Sequence, residues 1–166
     1  MIFMACLFGR KLVKSACLTK ETMSAVIART SQDQGVGLFV VQQPLTKATA
    51  AQILHRNHSW LVEEARVAGQ VVDYSHTVTD LDARPLCKVA LEIVRHGIEP
   101  GSRGLSTPTA LVVNADQLEM WQRYAVMMCR VGIPRAAFAS ASMARQWAAA
   151  NAALWAAQHQ FRTRAG

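Results

Sequence analysis

Two kinds of apolar periodicity alternate along this chain, and their order constrains the fold more than any other feature. Short β-rich runs occupy residues 24–30 (SAVIART), 35–42 (GVGLFVVQ), 69–75 (GQVVDYS), 109–114 (TALVVN) and 133–139 (IPRAAFA). Helical spacing fills the gaps between them. After Pro44-Leu45-Thr46, with Thr46 as cap, Ile53, Leu54, Trp60, Leu61 and Ala65 mark a helix running to about residue 66. Leu86, Val89, Ala90, Ile93 and Val94 form an amphipathic stripe closed by Gly97. Asn114 caps a third helix, with Gln117 in the capping-box position, Leu118, Trp121, Ala125 and Met128 on one face, and Gly132 at the end. Ser140 or Ser142 caps a fourth, with Met143, Trp147, Ala150 and Leu154 expected to face inward. The order β-β-α-β-α-β-α-β-α predicts a single α/β domain with a mixed, mostly parallel sheet and right-handed crossovers. A hairpin through Ser31-Gln32-Asp33-Gln34 supplies its antiparallel strand.

Composition fits one core. The 166 residues are 51% hydrophobic and 17% charged, which excludes disorder over most of the length and a second ordinary domain. Charges interrupt every apolar run well short of the roughly 20 residues a membrane helix needs. The net charge of +7 is uneven: +4 in residues 1–20, −3 in residues 21–119, and +6 in the carboxylate-free residues 120–166. Residues 1–22 read as an extension outside the core, residues 23–157 as the domain, and residues 158–166 as a polar tail that frays. In the extension the apolar stretch 2–8 precedes the charge, the reverse of a secretory signal. It suits an extra terminal helix or a short membrane-surface contact made by Phe3, Leu7 and Phe8 with Arg10, Lys11 and Lys14. Cys6, Cys17, Cys87 and Cys129 show neither a CxxC pair nor regular spacing, so they read as buried free thiols in a reducing, cytoplasmic setting.

Ligands of open α/β sheets sit outside the carboxyl ends of the strands. That edge carries Gln42 and Gln43, the segment from Asp73 to Asp82, then Asn114, Ser140 and Ser142. Asp73, Ser75, His76, Thr77, Asp80 and Asp82 make it the densest polar cluster in the chain. A catalytic set needs nucleophile, base and orienting group in hydrogen-bond reach, and the adjacent Ser75 and His76 point to opposite sides of an extended chain. No GxSxG, P-loop or glycine-rich dinucleotide motif is present. The cluster therefore reads as turns and caps, with no enzyme activity, metal or cofactor expected. His55 and His58 are too few for a metal and read as a solvated helix face, and His96 as a dipole contact at a helix end. Met120, Met127, Met128 and Met143 with Trp121 and Trp147 read as core, and Trp155 as the exposed aromatic. Arg123, Arg130, Arg135 and Arg145 are spread over several elements without a nucleic-acid motif and read as solvated surface.

The segment 71–96 (VVDYSHTVTDLDARPLCKVALEIVRH) adds a resemblance. Its Asp82-Ala83-Arg84-Pro85-Leu86 stands where a strand-turn-helix family carries an Asp-Ser-Ser-Gly-Leu motif. Pro134-Arg135-Ala136-Ala137-Phe138 and Met143-Ala144-Arg145-Gln146-Trp147 look like the last strand and helix of its divergent members. Over about residues 24–155 the chain resembles the STAS family, the sulfate-transporter and anti-sigma-factor-antagonist domains. In the phospho-regulated antagonists the serine after the Asp accepts phosphate, whereas Ala83 here cannot, and Pro85 replaces the glycine. The resemblance implies a STAS-like fold and a non-catalytic regulatory module with a protein partner. Its contact surface would be the start of the second helix, Asp82, Ala83 and Arg84 through Lys88, with the loop before it. Ser75, Thr77 and Thr79 are the places to which a phospho-switch would have moved. A small-ligand or lipid-binding protein with an apolar pocket near the helices is the alternative, and a weak nucleic-acid binder the third.

Overall fold

A computed structural model describes residues 26–30, 35–63, 67–97 and 107–164. The extension 1–22, Cys6, Cys17, the turn 31–34, Ala65 and the side chains of Val94 and His96 lie outside what it describes. Five strands, β1 (Val26–Thr30), β2 (Val36–Val41), β3 (Gly69–Asp73), β4 (Thr109–Val112) and β5 (Arg135–Phe138), lie side by side in chain order. β1 runs antiparallel to β2, with Val26 opposite Val41, and the other pairings are parallel. The connections are α1 (Ala50–Glu63), α2 (Ala83–Gly97) and α3 (Leu118–Arg130, after a 3₁₀ turn at Ala115–Gln117), and α4 (Ala141–Arg164) follows the last strand. The α/β alternation read from the sequence is the one observed, with β2 to β5 each shorter by two or three residues.

Chain-order strands joined by right-handed crossovers carry every connecting helix to one face of the sheet. Accordingly Ile53 of α1, Leu86 and Ala90 of α2, and Trp121, Tyr124 and Met128 of α3 share a core with Phe39, Val72, Leu111, Val113 and Ala137. The alternate strand residues Val36, Val71, Ala110 and Val112 face the other way and are covered by α4. Phe39, Leu45, Ile53, Leu61 and Leu86 are wholly buried, each contributing roughly 1.5–3 kcal/mol of hydrophobic stabilisation.

Local chemistry sets the helix ends. Thr46 and Thr49 cap α1 reciprocally, each backbone N–H donating to the other's hydroxyl at 2.9 and 3.3 Å. Asp82 Oδ1 accepts the Ala83 N–H at 2.7 Å, and Pro85 sits in the first turn of α2, where no N–H is missed. α3 stops at Gly132, whose φ of +82° lets Ile133 N–H reach back to the Met128 carbonyl at 3.0 Å. Asn114, expected to cap the third helix, makes no side-chain capping bond; it precedes a 3₁₀ turn whose Gln117 N–H bonds its carbonyl instead.

α4 corrects the sequence reading most. The residues facing the sheet are Ala144, Ala148 and Ala152, while Met143 and Leu154 are exposed and Trp147 is half-buried. The cause lies across the interface. A Cβ on Gly69 would stand 2.6 Å from the Ala148 carbonyl oxygen and 2.9 Å from Ala152 Cβ, so helix and strand meet at backbone distance. Only small side chains fit that seam, and the large ones are turned aside. Trp155 is half-buried rather than exposed, and the helix continues to Arg164, into the stretch read as a fraying tail. Cys87 is buried as expected, but Cys129 is exposed at the end of α3, where its Sγ lies 3.2 Å from the Arg135 carbonyl.

Candidate functional site

The sheet's carboxyl edge is built from the turns that leave β3, β4 and β5. After β3, Asp73 Oδ1 accepts the Ser75 N–H at 2.9 Å, closing an Asx turn. Thr77 is buried and its hydroxyl donates to the Val41 carbonyl at 2.9 Å, tying this loop to the end of β2. Thr79 donates to the Leu45 carbonyl and accepts the Leu81 N–H, and a parallel bridge joins Leu45 to Thr79. These hydroxyls and carboxylates hold the chain in place. His76 and Asp80 are exposed, Ser75 and Asn114 half-buried. Ser140 begins α4: its carbonyl accepts the Ala144 N–H, and its Oγ takes a long 3.4 Å bond from Met143 N–H.

Three of the sequence-predicted residues enter a larger feature. Asp82, Ala83 and Arg84 form one end of a groove of about 480 Å³, whose other wall is the outer face of α3, including Glu119, Arg123, Val126 and Arg130. The helices meet beneath it, where Cys87 Sγ lies 3.7 Å from Met128 Sδ. Val126 is 52% exposed although apolar. Arg123 pairs with Glu119 at 3.1 Å, an exposed bridge worth little. Arg84 and Arg130 form no ion pair among the described residues. Ala83 is 3% exposed and its N–H is held by Asp82, so it is closed into the helix start.

A second polar constellation was not legible in the sequence. Asn57 on α1 and Gln70 on β3 are buried and exchange amide hydrogen bonds, and the Thr109 hydroxyl adds a third to Gln70 Oε1 at 3.3 Å. His58, expected on a solvated face, is half-buried beside this network and lines an interior cavity, while His55 is exposed. Burial, reinforced by His55 and Arg135, holds the His58 imidazole below its ordinary pKa. Arg135, expected as solvated surface, is half-buried and lines the same cavity, with Nη1 donating at 2.9 Å to the carbonyls of Thr107 and Pro134. The signal available was positional: Asn57 and His58 sit beside Ile53, Leu54 and Leu61 in the helical period, and polar residues there look solvated when read alone.

Comparison of the chain with protein-family models and with curated protein sequences returns no match. Among the described residues no cluster of three or more His, Cys, Asp or Glu is placed to hold a metal, and no helix is long and apolar enough to cross a membrane.

Proposed function

We propose that the chain is a non-catalytic regulatory module of STAS-like type that binds a protein partner through the groove between α2 and α3. One observation carries this reading: the Asp82-Ala83-Arg84 start of α2, where the family resemblance locates the contact, opens onto a groove large enough for a peptide segment. The groove also supplies the chemistry of a contact. Val126 offers exposed apolar surface, and Arg84 and Arg130 offer cations that form no ion pair among the described residues. The complementary partner segment is acidic with an apolar side chain at its centre. Ala83 removes phosphorylation as the control point, so the module is constitutive at that position or switched through Ser75 or Thr79, Thr77 being buried with its hydroxyl spent on the Val41 carbonyl. The turn bonds of Asp73 and Thr77 favour a scaffolding role for that loop over catalysis. A cytoplasmic setting belongs to the same proposal and is supported by the free thiols of Cys87 and Cys129.

Affinity capture from the cells that express the chain tests this. The double charge reversal Arg84→Glu/Arg130→Glu is compared with wild type and with Met143→Glu, an exposed change on α4. A partner retained by wild type and Met143→Glu but lost from the double variant is the expected result. Equal retention by all three proteins, or capture by none, overturns the reading.

A further inference from the structure

Between the sheet and the layer formed by α1, α2 and α3 lies a cavity of about 50 Å³, separate from the α2–α3 groove. A single water needs roughly 10–15 Å³ measured this way, so the space takes about four waters or one small oxyanion. Its polar lining comes from Asn57, His58, Tyr74, Thr109, Trp121, Tyr124 and Arg135, and among the described residues no carboxylate contributes.

The bonding of those groups leaves a surplus of donors. Asn57 is spent on Gln70. Trp121 Nε1–H is buried and has no hydrogen-bond partner among the described residues, and an indole N–H can only donate. Neither the Tyr74 nor the Tyr124 hydroxyl has a hydrogen-bond partner among the described residues, although Tyr74 stacks on Trp121 with centroids 4.7 Å apart. Arg135 uses Nη1 on the Thr107 and Pro134 carbonyls, and Nη2 and Nε have no partner among the described residues. Burial raises both tyrosine hydroxyls, that of Tyr124 to about 12, so each keeps its proton and can donate at neutral pH. Burial also works against the Arg135 charge, which an anion would compensate. Water cannot supply that counter-charge.

We infer that this cavity binds a compact oxyanion, a carboxylate group or an inorganic phosphate, held by the Arg135 guanidinium and the Tyr124 hydroxyl, beside the Trp121 indole. A guanidinium is the preferred partner of such groups because its donors are fixed in a planar fork that matches an oxyanion. The inference does not depend on the groove or on the family resemblance.

The test follows the Trp121 indole resonance in ¹⁵N-labelled full-length protein, assigned by its loss in Trp121→Phe. Potassium phosphate, potassium acetate and potassium chloride are titrated at matched ionic strength. A saturable shift with phosphate or acetate but not chloride is expected, and whichever anion produces it identifies the source of the oxyanion. Arg135→Gln should weaken that binding about tenfold or more. Tyr124→Phe, which keeps the ring and the charge, should weaken it severalfold and guards against a folding defect in the first variant. Absence of a saturable shift with both oxyanions overturns the inference, and so does equal affinity in wild type and both variants.

Discussion

Breaking the Asn57–Gln70 pair from one side should cost more stability than removing both polar groups together. Gln70 is wholly buried: its Nε2–H donates to Asn57 Oδ1, and its Oε1 accepts from Asn57 Nδ2 at 3.4 Å and from Thr109 Oγ1 at 3.3 Å. Asn57→Leu leaves the Gln70 amide hydrogens without an acceptor in a site closed to solvent, a penalty of about 1–3 kcal/mol. Gln70→Met leaves Asn57 unpaired, but Asn57 borders the interior cavity, where water can reach it, so that loss falls at the lower end of the range. The double variant Asn57→Leu/Gln70→Met replaces both groups by apolar ones of similar shape and should recover much of the loss, a coupling of about 1–2 kcal/mol. For a chain of this size that corresponds to roughly 2–8 °C in Tm. Urea unfolding followed by far-ultraviolet circular dichroism measures all four proteins. Strictly additive losses would refute the reciprocal bonding.

Three further expectations rest on other parts of the fold. Gly69→Ala places a methyl 2.6 Å from the Ala148 carbonyl oxygen and should cost about 1–3 kcal/mol by lifting α4 from β3. Gly132→Ala meets nothing within 4 Å but keeps a φ of +82°, so it should cost about 1–2 kcal/mol through backbone strain alone; thermal melts in which only Gly69→Ala also weakens near-ultraviolet dichroism would separate the two causes. Burial above all, then His55 and Arg135, lowers the His58 pKa below 6.5, so the stability tied to neutral His58 is full above that pH and is lost as the pH falls through the lowered folded value. His58→Gln should therefore flatten the acid side of the Tm–pH curve, and parallel curves for the two proteins would contradict this. Ser140→Ala should cost no more than about 0.5–1 kcal/mol in urea unfolding, because the Oγ to Met143 N–H bond is a long 3.4 Å.

The element order was readable because strands and helices impose different apolar periods, and because Thr46, Asp82 and Gly132 punctuate them with recognisable chemistry. The inward face of α4 was not readable. Ala144, Ala148 and Ala152 carry little hydrophobic signal, and what selects them is the absence of a side chain at Gly69, a residue more than seventy positions away. Polar core groups were hidden for a related reason. Gln70 precedes two valines and Arg135 opens a strand, so each reads as a surface residue until the sheet brings Asn57, Thr109 and Tyr124 around them. At the candidate groove the first wall, Asp82 to Arg84, was visible as a motif. The second wall, Val126 and Arg130, depends on how α3 packs beside α2, which no local pattern encodes.

Site-specific photo-crosslinking in living cells tests the docking account most directly. A benzophenone amino acid replaces Val126 in the groove or Met143 on α4, two exposed apolar positions on opposite sides of the sheet. The account predicts a discrete heavier adduct from position 126 that disappears when Arg84→Glu and Arg130→Glu are added, and no such adduct from position 143. An adduct from 143 alone, the same adduct from both positions, or an adduct from 126 that survives charge reversal would contradict it.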